Sequence, residues 1–87
     1  MGNDPAVRYK PELEIRYTNY FQVGHNSAEI VVDCGWFYVD EAGPTIHTRI
    51  ATTPVYAKAL LDTLQHAIRA YERAFGAIPV KRTGVLE

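Results

Sequence analysis

The chain has 87 residues, 47% of them apolar, and a formal net charge of −1. That length suits one domain with a thin core, and the balanced charge provides no long-range field for nucleic acid or anionic lipid. A single cysteine rules out an intrachain disulfide, and no apolar run reaches the roughly 18–20 residues of a membrane span, so a cytoplasmic protein without membrane attachment is expected.

Residues 1–11 carry Gly2, Pro5 and Pro11 without periodicity and read as a flexible N-terminal arm. From Glu12 the pattern alternates. Leu13, Ile15, Tyr17, Asn19, Phe21 and Val23 fall on one side, and Glu12, Glu14, Arg16, Thr18, Tyr20 and Gln22 on the other, which is the period of a half-buried strand. "GHNS", residues 24–27, supplies a turn. A second strand is expected over about 28–39, "DEAGP" (40–44) ends it, and a third covers about 45–52.

The period then changes to three- and four-residue steps. Tyr56, Leu60, Leu64, Ala67, Ile68, Tyr71 and Phe75 line one side of an amphipathic helix, opposite Lys58, Asp62, Gln65, Arg69, Glu72 and Arg73. Thr53 is placed to cap it, Pro54 suits its first position, and Gly76 with Pro79 ends it. The expected fold is α+β: a three-stranded antiparallel β-meander followed by one long helix packed on one sheet face (β-β-β-α). It forms a single domain over 12–78, with 79–87 as a C-terminal tail. A helix of about 22 residues is roughly 33 Å long and strands of ten to eleven residues match it, so the helix would cover one face and leave the other open.

Within this frame "EIVVDCGWFYVD", residues 29–40, raises a question, because Asp33, Cys34 and Gly35 interrupt a run of apolar residues. Turns at 24–27 and 40–44 pair Val23 with Ala28 and Val39 with Thr45. Asp33 then falls on the open face, diagonal to Arg16 and Arg49, with Gly35 as a notch between the two arginines. The same face carries Tyr20, Val31, Phe37 and Val39 as an apolar patch, with His47 beside Phe37. Arg16, Tyr20, Val31, Asp33, Phe37, Val39, His47 and Arg49 are therefore the candidate interface or partner-binding residues. An open face, two free edges and a thin core point to a homo-oligomer, a dimer or higher.

Sharper chemistry finds little support. Cys34 has no histidine on its expected face and apolar neighbours, and reads as a small buried thiol. His25, His47 and His66 lack metal-ligand spacing, and no catalytic residue, metal or cofactor is expected. The planar arginine forks beside Gly35 suit an anion or a partner's carboxylate.

"YTNYFQVGHNSAEIVVDCGWFY" and "HTRIATTPVYAKALLDTLQHAIRAYERAFGAIP" together resemble a small prokaryotic family of unknown function, with Y-x-N-x-F and E-x-x-x-D-x-G strands and a P-x-x-A-K-x-L-L helix entry. The resemblance covers about residues 15–79, and Cys34 stands where members often carry Phe. It implies a bacterial cytoplasmic protein and no particular chemistry. The meander followed by a helix is also similar to the protomer of a tetrameric bacterial export chaperone, a likeness of fold alone. The expected function is non-enzymatic, through protein–protein contacts, as an adaptor, chaperone-like module or assembly subunit. The alternative is a nucleic-acid-binding module in which Tyr20, Phe37, His47, Arg16 and Arg49 stack bases and meet phosphates.

Overall fold

In the computed structural model, which describes residues 6–80, the first hairpin is set by Asn26. Its side-chain Oδ1 accepts from the Ala28 N–H at 2.8 Å and the Glu29 N–H at 2.9 Å, and its own N–H donates to the Glu29 carbonyl at 3.0 Å. An asparagine that satisfies the backbone two residues on makes a self-contained turn. The turn therefore lies two residues later than expected from "GHNS", and His25 rather than Val23 closes the ladder, opposite Ile30. The first strand, β1 (Tyr20–His25), pairs antiparallel with β2 (Ile30–Trp36), and β2 with β3 (Thr45–Thr52), in the order β1-β2-β3. A 22-residue helix, α1 (Pro54–Phe75), follows. The expected α+β order of three antiparallel strands and one helix is thus present.

The later turn has a consequence for residues 12–18. Their partners would have to lie beyond Trp36, where β2 has ended and residues 37–44 form a loop, so the first strand begins at Tyr20 and not at Glu12. Leu13, Ile15 and Tyr17 keep the alternation of a strand but are exposed, Ile15 at 91%. For the same reason Phe37 and Val39 lie past the end of β2.

The second hairpin departs from expectation more locally. Cys34 faces Thr48, but Gly35 faces Ile46, so His47 is an extra residue in β3. This bulge turns residues 45–47 over relative to a regular ladder. Elsewhere the shifts in pairing are even-numbered, and the faces of β1 and β2 are preserved. Phe21, Val23, Val32, Cys34, Trp36 and Ile50 share one face, and Tyr20, Gln22, Val31, Asp33 and Arg49 the other.

The helix forms where its boundary residues require. Thr53 Oγ1 accepts from the Tyr56 N–H, Pro54 occupies the first turn, and Gly76 ends the helix at φ 101°, with its N–H donating to the Glu72 carbonyl. Its expected packing is not observed. No residue of α1 is buried, and the helix makes almost no contact with the strands. The connection is Thr53 alone, between Thr52 of β3 and Pro54 of α1, and it is too short to carry the helix back over the sheet it has just left.

Among the described residues no apolar side chain is buried; only Asp33 and Gly35 are. The radius of gyration is 15.3 Å, against about 12 Å for a globular domain of this length. One protomer contains ordered strands and an ordered helix without a hydrophobic core between them. The first five residues of the expected arm and residues 81–87 of the expected tail lie outside the described residues.

Candidate functional site

Asp33 and Arg49 are directly opposite each other rather than diagonal. The Arg49 Nε donates to Oδ1 at 2.7 Å and Nη2 to Oδ2 at 2.9 Å, a bidentate fork. Asp33 is only 8% exposed, although it stands on the open face. Hydrogen bonding from Arg49 is the chief cause that holds the Asp33 carboxyl below its ordinary 3.8; burial opposes the shift, and charge attraction to Arg49 adds to it. The same hydrogen bonds chiefly raise Arg49 above its ordinary value, with charge attraction adding and burial opposing. A carboxyl whose pKa falls on folding stabilises the fold above the unfolded value and loses that contribution as pH drops through the folded one. The unfolding midpoint of the parent chain is therefore expected to fall steeply only below pH ~4, and Asp33→Asn is expected to flatten that acid limb in a series of denaturant titrations.

The expected notch at Gly35 does not exist, because the backbone of β3 fills it. A methyl group at Gly35 would overlap the Thr45 carbonyl oxygen and lie 2.9 Å from the Ile46 Cα. Arg16 is tied down separately, donating to the His47 carbonyl at 3.2 Å and standing 3.6 Å from Glu14. The two arginines line one open cleft with Glu14, Thr18, Cys34, His47 and Thr48, but each already has a partner within the protomer, Arg49 in Asp33 and Arg16 in the His47 carbonyl.

Of the apolar anchors, Tyr20 and Phe37 come together, with ring centroids 6.5 Å apart and tilted by 44°. Val31 lies four residues along the strand from Gly35, about 13 Å away, with the Asp33–Arg49 pair in between. Val39 is separate, in the loop, and almost fully exposed. His47 is not beside Phe37. As the bulged residue it stacks on Trp36 at 4.7 Å, on the other side of the sheet.

That stacking belongs to a clamp the sequence reading did not identify. The Tyr17 carbonyl accepts from the Trp36 indole at 3.0 Å and from His47 Nε2 at 2.9 Å. A carbonyl only accepts, so Nε2 of His47 carries a proton, and in the neutral imidazole Nδ1 then accepts from the Thr48 hydroxyl at 2.7 Å. Two residues on, the Asn19 amide takes the place of a ladder pair: its Oδ1 accepts from the Phe37 N–H at 2.9 Å and its Nδ2 donates to the Phe37 carbonyl at 3.2 Å. The clue is Asn19 itself, a polar residue on the apolar side of the first strand's alternation. Asn19→Ala is expected to lower stability by roughly 1–2 kcal/mol in denaturant titration, the net contribution of two such bonds.

The largest feature is apolar. Phe21, Val23, Trp36 and Ile50 leave one sheet face uncovered, and Leu60, Leu64 and Tyr71 leave one helix face uncovered. Cys34 sits half-buried in the middle of that sheet face. Among the described residues no three His, Cys, Asp or Glu side chains converge as a metal site would, and no helix is long and apolar enough to cross a membrane.

No curated protein and no solved structure matches this chain significantly. A family model does match, over residues 6–80, which include all three strands and the helix. The chain belongs to the DUF3467 family, described as proteins of unknown function.

Proposed function

We propose that this chain is a non-enzymatic bacterial protein of the cytoplasm that works as a homo-oligomer through protein–protein contacts, as an adaptor, chaperone-like module or assembly subunit. The observation that carries this reading is the missing core. The protomer exposes 8080 Å². A folded monomer of its 9.8 kDa mass exposes about 5,200 Å², so the surplus is roughly 2,900 Å². A standard interface needs only about 800 Å² per partner, and obligate ones need more. The lone thiol is consistent with a reducing compartment.

The remaining open-face groups suit orientation rather than chemistry. Asp33 and Arg49 satisfy each other, and Tyr20 and Phe37 offer a small aromatic anchor beside them. Light scattering on the purified protein, with fluorescence anisotropy against single-stranded oligonucleotides, tests the proposal. The expected result is a mass at least twice 9.8 kDa and no salt-sensitive oligonucleotide binding. A lone protomer in solution, or a tight complex that salt dissolves, would overturn it.

A further inference from the structure

We propose that α1 of each chain lies on the apolar sheet face of a second copy, two chains exchanging helices about a twofold axis. The inference rests on the oligomeric reading above and adds which surfaces meet. Thr53 is extended at φ −89° and ψ 161°, and its side chain and carbonyl accept from the Tyr56 and Ala57 N–H groups at 3.4 and 2.9 Å. These bonds fix the direction in which the helix leaves β3, and that direction takes it away from its own strands.

The two exposed surfaces fit each other. The helix, 22 residues or about 33 Å long, presents Leu60, Leu64 and Tyr71 along one side. The sheet presents Val32, Trp36 and Ile50 on a face whose longest strand has eight residues, about 27 Å. Every chain carries one surface of each kind. A reciprocal exchange between two copies uses both and leaves neither open, whereas head-to-tail addition would leave one of each at the ends. The surplus of roughly 2,900 Å² per chain, about 5,800 Å² for two, is more than enough for the roughly 2,000–5,000 Å² in total that obligate homodimers bury. A second copy accounts for the helix and the sheet face together; a different protein would have to match both.

Cys34 lies in the middle of the acceptor face and is the chain's single cysteine, which makes it a probe. Leu60→Cys, Leu64→Cys and Ile68→Cys are made separately, oxidised with diamide and run on non-reducing gels with peptide mapping. The expected product at one or more positions is a dimer linked from Cys34 to the helix, lost when Cys34→Ser is added. A link from Cys34 to the helix within one chain would overturn the exchange. So would a dimer that persists without Cys34, or no link at any of the three positions. Light scattering on the parent protein separates the two failures: an oligomer without these links sinks only the exchange, and a monomer sinks the oligomeric reading as well.

Discussion

Leu64→Asp is expected to dissociate the oligomer and, with it, to dissolve the tertiary structure. Leu64 occupies the centre of the helix's apolar arc and is 52% exposed in the single protomer. Burying a leucine against a neighbouring surface contributes about 1.5–3 kcal/mol, and in a symmetric dimer the loss occurs twice. A loss near 4 kcal/mol weakens association roughly 10³-fold before the cost of placing a carboxylate in an apolar contact is added. The control is Gln65→Asp. It lies one residue along on the opposite, solvent-facing side, and it should leave mass and circular dichroism unchanged. Light scattering and near-ultraviolet dichroism read both variants. A Leu64→Asp protein with parental mass would show that the helix face is not an interface.

Gly35→Ala is expected to be nearly as damaging, for a reason inside the protomer. The added methyl group would overlap the Thr45 carbonyl, and a backbone atom in a paired strand cannot swing aside as a side chain can. Separating the strands there disturbs the bulge and the adjacent Asp33–Arg49 fork together, at about 3 kcal/mol or more. Against a typical total of about 5–15 kcal/mol, that is a large fraction of a fold's stability. Gly24→Ala is the matching control, since a methyl group there meets nothing within 4 Å. The two variants should differ clearly in denaturant midpoint; equal midpoints would mean that the close approach at Gly35 does not hold the strands in place.

The order of elements was legible because the period changes cleanly from two to between three and four residues at Thr53. The helix ends were legible because Thr53, Pro54 and Gly76 each carry a distinct backbone preference. Pairing was not, because Asn26 makes its turn with its own side chain and moves the hairpin two residues along. The faces still came out correctly, since the ladder shifted by an even number of positions. His47 was misplaced because a bulge adds one residue, which turns over everything between it and the next turn.

Helix packing failed as an expectation for a different reason. Matching helix and strand lengths says that two surfaces can meet, not that they belong to one chain. The relevant signal was the single residue between β3 and α1. For the candidate site, Asp33, Arg49, Tyr20 and Phe37 came together as pairs, while Val31, Val39 and His47 did not join them. The clamp of Tyr17, Asn19, Trp36 and His47 was not legible because all four members act through or upon backbone groups, which side-chain patterning does not display.

The central claim is that this chain has a core only in company, and equilibrium unfolding at several protein concentrations tests it most directly. If folding and association are one process, the denaturant midpoint rises steadily with protein concentration over a hundredfold range. A single cooperative transition whose midpoint stays fixed across that range would contradict the account.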